Sequence, residues 1–298
     1  MLVRDGSRAD RLRALGCEIA IGDLTDRASV ARALQGVETV FHVGALYRQA
    51  GGDARQYRAV NADAVGALVV DAAAAGVRRV VHCSTVGVHG DVEQPPADED
   101  APLRPGDIYQ ETKLDGERAA REAAAATGME VVIVRPTGIY GPGDRRLLKL
   151  FRGVARRRFP MLGDGEIFYH LTYIDDLVEG FVRCGEHPAA AGRTYILAGP
   201  EVTTLNALVA LIADIAGVRP PRLHLPVWPF WMVGAVCEAA CAPFGLEPPI
   251  YRRRVDFYTK SRAFDISRAR REIGYAPTVG LRDGIGRTLQ WYAQHGWL

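Results

Sequence analysis

The chain has 298 residues, 48% hydrophobic and 24% charged, with a formal net charge of +2. That length suits a large α/β unit with a smaller appended lobe, and the composition is that of a globular enzyme. So small a net charge argues against a nucleic-acid-binding surface.

In chain order, Glu18 to Ile21 reads as a strand and Arg27 to Leu34 as a helix. Thr39 to Val43 is a strand, Ala54 to Ala75 a long helix, and Arg79 to Cys83 a strand. Ile108 to Ala126 is a helix and Glu130 to Val134 a strand. Continuous β-branched runs between helices indicate parallel strands buried on both faces, hence a doubly wound α/β sheet. After Arg135-Pro136, the segment GIYGPGD reads as a loop and Arg145 to Arg158 as a basic amphipathic helix with a solvated arginine face. Tyr173 to Arg183 returns to helix and Thr194 to Leu197 to strand. Thr203 to Leu298 is mostly helical. The expected division is a dinucleotide-binding domain over 1–144 plus about 171–200. Residues from about 145 to 170 and 201 to 298 form a substrate lobe.

The five cysteines, Cys17, Cys83, Cys184, Cys237 and Cys241, form no Cys-x-x-Cys pair. Neither a disulfide framework nor a metal site is expected. The polar opening, with Arg4, Asp5 and Arg8 to Arg13, is no signal peptide, and a cytoplasmic location is expected. The apolar run Leu225 to Leu246 is interrupted by prolines and Glu238. It suits a buried helix or a pocket wall better than a spanning helix, with peripheral membrane contact as a lesser option.

Tyr109 and Lys113 stand four residues apart on the helix from Ile108, one above the other on a face. A nearby ammonium favours the phenolate, so the tyrosine can exchange a proton near neutral pH. That chemistry makes or breaks a carbonyl at a secondary alcohol. Ligands of such sheets bind beyond the carboxyl ends of the strands. Three of those ends carry distinctive residues: Gly44-Ala45, Ser84-Thr85, and Arg135-Pro136-Thr137-Gly138-Ile139.

Seven motifs fall in order: GDLTD (22–26), Val60-Asn61 with Gly66, CSTVGVHG (83–90), YQETK (109–113), RPTGIYGPGD (135–144), YIDDLVEG (173–180) and FDISRARREIGYAP (264–277). Together they resemble the extended short-chain dehydrogenases/reductases of the NAD-dependent epimerase/dehydratase and 3β-hydroxysteroid dehydrogenase group, over nearly the whole chain. The style is closest to 3β-hydroxysteroid dehydrogenases and dihydroflavonol reductases. The resemblance implies a Rossmann-like fold and a nicotinamide cofactor. It implies Tyr109 as general acid/base, Lys113 as its partner and a holder of the nicotinamide ribose, and Thr85 as a hydrogen-bond donor to the substrate oxygen. Ser84 is a weaker catalytic candidate. Asn61 would support the active-site geometry or the cofactor pocket. Asp23 and Leu24 would border the adenine, Gly44 and Ala45 would let the cofactor approach, and Pro136, Gly138 and Ile139 would flank the nicotinamide. Arg4 suits the 2′-phosphate of NADP, with Asp5 leaving NAD open.

Nucleotide-sugar members usually carry Arg-Asp where this chain has Tyr169-His170, and an asparagine where it has Gly138. Val86-Gly87 after Thr85 also departs from the dehydratase pattern. These departures weaken a nucleotide-sugar reading, and the apolar segment around Trp228, Phe230, Trp231 and Met232 suggests a hydrophobic alcohol or ketone, sterol-, terpenoid- or flavonoid-like, with Leu46, His89, Tyr169 and Trp228 as substrate contacts. Arg252 to Arg254 keep an anionic substrate open. A nucleotide-sugar epimerase or dehydratase is one alternative, and a non-catalytic binding protein keeping the fold is another. Alanine-rich helix ends near Ala75 and Ala126 suggest a homodimer.

The resemblance also implies a strand, a Gly-x-x-Gly-x-x-Gly turn and a helix ahead of Met1, which itself falls in the second strand of the pattern. A natural protein longer by roughly 25 to 35 residues, one βα unit, is expected, with a truncated product that binds cofactor poorly or not at all as the alternative. Without that unit a mid-sheet gap and weak NADP(H) binding are expected.

Overall fold

The computed structural model describes residues 1–6, 9–47, 53–221, 223–241 and 255–298. The chain opens with β1 (Leu2–Val3), α1 (Asp10–Ala14), β2 (Ala20–Ile21), α2 (Arg27–Ala33) and β3 (Thr39–His42). α3 (Ala54–Arg58) passes through a π turn at Ala59–Asp63 into α4 (Ala64–Ala74), followed by β4 (Arg79–Cys83). Next come α5 (Ile108–Thr127), β5 (Glu130–Pro136), β6 (Gly138–Tyr140), α6 (Leu148–Ala155), β7 (Met161–Leu162), β8 (Phe168–Tyr173), α7 (Ile174–Glu186) and β9 (Thr194–Leu197). The rest holds β10 (Val202–Thr204), α8 (Leu205–Ile215), β11 (His224–Leu225), α9 (Val227–Cys241), α10 (Asp256–Thr259), α11 (Ser267–Ile273) and α12 (Leu281–Gln294).

β3, β4, β5 and β9 form one parallel sheet in that order. Its side chains alternate between two apolar layers. Val80, Val131 and Ile133 pack against Val65, Leu68 and Val69 of α4 and Ala120 of α5. Val81, Val132 and Val134 face the other way, toward Leu177 and Phe181 of α7 and Ile273 of α11. This is the α/β Rossmann-like architecture that the strand pattern implied. The segment around α11 comes from late in the chain yet packs on this sheet.

β1 and β2 form a separate parallel pair. A cavity of about 530 Å³ lies between β1 and β3, walled by Leu2, Val30, Leu34, Val40 and Leu68 among others. The sheet is thus broken at the expected place. A third core joins α6, α8 and α12 to β6 and β8 through Phe151, Leu171, Leu208, Ile212, Ile285 and Tyr292.

Several element boundaries differ from expectation. The long helix from Ala54 carries a π turn, which inserts a residue into the helical register at Asn61. The segment GIYGPGD is no simple loop, because Gly138–Tyr140 pairs in parallel with Leu171–Tyr173. The basic helix is shorter, Leu148–Ala155. Asp144 accepts from the backbone N–H of Arg146 and Leu147, shaping the turn ahead of that helix. Arg157, at a φ of 57°, lies just past its end.

Candidate active site

α5 begins where the Asp107 carboxylate accepts from the Gln110 backbone N–H, so the helix starts immediately ahead of Tyr109. Tyr109 is half-buried, and its ring meets that of Tyr47 edge-on at 4.9 Å between centroids. One turn later Lys113 is 1% exposed. Burial pushes its ammonium below the ordinary lysine value, while Cys83 and Glu117 pull the other way. Its Nζ lies 3.5 Å from Nε2 of His82.

Thr85 follows β4 in extended backbone, and its Oγ1 accepts from the Gly87 N–H at 3.0 Å. That leaves the hydroxyl proton as a donor. A Cβ on Gly87 would stand 3.2 Å from the Gln110 side chain, so this turn lies against the first turn of α5. Thr85 and Tyr109 are thereby brought to one edge of the sheet.

Ser84 requires a correction. It was expected to place a hydroxyl at the mouth of the sheet, yet it is buried and donates to Oε1 of Glu117 at 2.6 Å. Arg135 holds the same carboxylate through Nε and Nη2, at 2.9 and 2.7 Å. Burial opposes the charge on Glu117, but these hydrogen bonds and the Arg135 charge outweigh it and hold the carboxyl below its ordinary value. His89, expected to contact substrate, belongs to the same network. It is buried, 3.1 Å from Arg135 Nη1 and tilted against Phe264. Burial and Arg135 push its imidazole down to about 4.

Asn61 ties the loop after β3 to α5. Its Oδ1 accepts from the Leu46 N–H at 2.8 Å, and its Nδ2 donates to the Leu46 carbonyl at 3.0 Å and to Thr112 Oγ1 at 3.2 Å. The π turn aims the side chain there. Leu46 is thus held by its backbone and also lines the cavity beside β3.

Arg4, Asp23, Leu24, Gly44 and Ala45 line that same cavity. Backbone and side-chain hydrogen bonds from Thr25 hold the Asp23 carboxyl below its ordinary value, with a smaller pull from Arg4. Gly44 leaves the backbone bare. A Cβ there would meet Leu24 Cδ1 at 2.9 Å, the tip of a side chain that can swing aside, so glycine keeps the end of β3 open to a flat ligand without being demanded by the packing. This bare strand end, with a cationic side chain at the end of β1, fits a dinucleotide. At the end of β5, Pro136 is buried while Gly138 is exposed and Ile139 half-buried.

In the lobe, Tyr169 is buried and its hydroxyl donates to the Phe257 carbonyl. Tyr169 was expected as a substrate contact; its phenol is used inside the lobe instead. His170 lies beside it with Nε2 2.8 Å from the Gly199 carbonyl. Trp228 is 65% exposed on α9, where Gly234 is the one buried residue. Of the buried helix or pocket wall expected over Leu225 to Leu246, the buried helix is corrected as far as Cys241, since Phe230, Trp231, Met232, Val233 and Val236 are also exposed, and 242–246 lie outside the described residues. Arg252 to Arg254 lie outside the described residues. No group of His, Cys, Asp and Glu among the described residues could hold a metal, and no helix among them is long and apolar enough to cross a membrane.

Three residues at the site went unread in the sequence. Glu117 sits one turn beyond Lys113, and its spacing could have been noticed. His42 and His82 each interrupt an apolar strand, a polar signal in TVFHV and RVVHC that was available.

The chain is similar to known proteins in sequence and in fold. A 3beta-hydroxysteroid-dehydrogenase/decarboxylase of Arabidopsis thaliana is 28% identical, over 95% of this chain and 69% of its own length. The crystal structure of gox2253 superposes with a TM-score of 0.83 at 30% identity, covering 100% of this chain and 91% of its own. A UDP-glucuronic acid 4-epimerase from Bacillus cereus in complex with NAD reaches a TM-score of 0.75 at 23% identity, over 96% of this chain and 85% of its own, a likeness of fold alone. The profile of the NAD dependent epimerase/dehydratase family matches residues 2–198, and the chain belongs to that family of nicotinamide-dependent enzymes.

Proposed function

We propose that this chain interconverts a secondary alcohol and a ketone on an apolar substrate, with NADP(H) as the preferred cofactor. The observation that carries the reading is Tyr109 and Lys113 on one face of α5, beside the Thr85 turn, with the lysine fully buried. Tyr109 gives a proton to the substrate oxygen in reduction and takes it back in oxidation. The Lys113 ammonium favours the phenolate form. Thr85 donates its hydroxyl proton to the same oxygen. Asn61 fixes the Leu46 backbone at the edge of the pocket.

Gly44 and Ala45 would carry the cofactor past β3, with Asp23 and Leu24 at the adenine and Pro136, Gly138 and Ile139 at the nicotinamide. Arg4 would grip a 2′-phosphate. When bound, the dinucleotide supplies or accepts the hydride. In this reading 1–144 with about 171–200, joined by α11 packed on their sheet, bind the cofactor, and the rest of about 145–170 and 201–298 binds substrate.

An apolar substrate is supported by α9, which offers Trp228, Phe230 and Trp231. The buried, hydrogen-bonded Tyr169 and His170 present no cation to a diphosphate. The hydroxysteroid activity named for the plant relative points to the same class of substrate.

The test is a panel of 3β-hydroxysteroids, dihydroflavonols and UDP-sugars, followed by nicotinamide absorbance with either cofactor. Turnover of an apolar alcohol or ketone is expected, falling by about 10²- to 10⁴-fold in Tyr109→Phe. Turnover of UDP-sugars alone overturns the substrate class. Activity indifferent to Tyr109→Phe overturns the mechanism.

A further inference from the structure

His42 of β3 and His82 of β4 are register partners in the parallel sheet. Both side chains point to the face carrying α4 and α5, as do Val40 and Val80 two residues earlier. That layer is otherwise built of valine, leucine, isoleucine, alanine and one methionine, Met129. The two rings are 4% and 0% exposed, stacked at 5.1 Å with planes 18° apart. Nδ1 of one lies 2.9 Å from Nδ1 of the other. Valine would fill either place without the cost of burying polar atoms.

The proton positions follow from donor counting. An ammonium has three donors and no acceptor. Nε2 of His82, 3.5 Å from Lys113 Nζ, must therefore present its lone pair. A neutral His82 then carries its proton on Nδ1 and donates to Nδ1 of His42. His42 in turn carries its proton on Nε2, which has no partner among the described residues. Burial and the nearby lysine push both imidazoles down, His42 to about 3, so the pair is neutral wherever the enzyme works.

We infer that His82, locked in one tautomer by His42, is the positioning residue that holds the Lys113 ammonium in place. The choice of imidazole has a physical reason. No carboxylate pairs with Lys113 among the described residues. A carboxylate at this spot would cancel the charge that favours the phenolate, whereas a neutral acceptor fixes the ammonium and leaves its field intact. The other groups acting on the ammonium are Cys83 from β4 and Glu117 further along α5, and Arg121 acts on His82.

The inference rests on the Tyr109–Lys113 reading for its purpose, but its test does not need turnover. The chain has three lysines, Lys113, Lys149 and Lys260, so labelled lysine side chains give few NMR signals. On the unaltered protein, imidazole ¹⁵N spectra are expected to show His82 protonated at Nδ1 and His42 at Nε2. The opposite tautomers overturn the inference without any variant. In His82→Phe the Lys113 titration is expected to move down by about one pH unit, a tenfold change in its ratio of charged to neutral form. His82→Gln, whose carbonyl can accept, is expected to restore most of it. A Lys113 titration identical in the native protein and a folded His82→Phe also overturns the inference. If these results hold while Tyr109→Phe leaves turnover intact, the positioning stands and the proposed reaction falls.

Discussion

Arg135 clasps Glu117 with two hydrogen bonds, Nε to Oε1 at 2.9 Å and Nη2 to Oε2 at 2.7 Å, one turn along α5 from Lys113. The pair anchors the catalytic helix to the end of β5. Glu117→Gln would leave a buried guanidinium uncompensated. A loss of about 3–5 kcal/mol is expected in urea unfolding. The folded Glu117 carboxyl lies below its ordinary 4.5, so its contribution is present above that value and disappears as the pH falls through the depressed one. The native protein should therefore lose stability steeply in acid, and Glu117→Gln should show a flatter acid limb. Identical acid limbs would rule out this linkage.

Ser84 and Thr85 are neighbours with opposite expected phenotypes. Ser84 donates to buried Glu117, so Ser84→Ala should cost about 1–3 kcal/mol of stability with little change in kcat. Thr85 lies at the site edge, so Thr85→Ala should lower kcat by about tenfold or more. Thr85→Ser, which keeps both the hydroxyl and the Gly87 contact, should retain most activity. Steady-state kinetics beside thermal unfolding separates the two residues.

Arg4 tests cofactor choice. It is exposed at the cavity edge, within electrostatic reach of Asp23. Arg4→Ala should reduce the preference for NADPH over NADH by about tenfold or more, the loss of one charge-assisted hydrogen bond of about 1.5–3 kcal/mol. Comparing kcat/KM for both cofactors reads this directly. An unchanged ratio removes Arg4 from 2′-phosphate recognition.

Gly116 marks the closest approach of α5 to the π turn. A Cβ there would stand 2.1 Å from the Asn61 carbonyl oxygen, which is backbone and cannot swing aside. Gly116→Ala should destabilise by about 1–3 kcal/mol and disturb Asn61 and Leu46 with it. Unfolding measurements that match the native protein would show that the helices separate freely.

α4 and α5 already pack on one another through Gly66 and Ala119. Their outer residues, Val70, Ala125 and Ala126, remain exposed. A homodimer through this helix pair should give twice the monomer mass in light scattering and revert to monomer in Val70→Glu. A native monomer at high concentration would remove the proposal.

The strands of the main sheet were legible because each is a short β-branched run between helices. RVVHC and EVVIV are buried on both faces, which is what such runs require. Gly138–Tyr140 and Phe168–Tyr173 were not legible as strands. Each satisfies its backbone through a segment about 30 residues away, and no local period announces that pairing. The shared face of Tyr109 and Lys113 was legible because a four-residue step on a helix needs no distant partner, and the Asp107 cap places the helix start ahead of both.

Local chemistry alone determined the alternation of strand and helix, the helix start before Tyr109, and the four-residue step to Lys113. Turn geometry and period act over a few residues, so one chain segment suffices to set them. The tertiary structure decided the rest. It turned Ser84 inward to Glu117 and brought His42 and His82 into contact 40 residues apart. These depend on which strands become neighbours, and burial then forces every enclosed polar atom to find a partner that sequence spacing does not name.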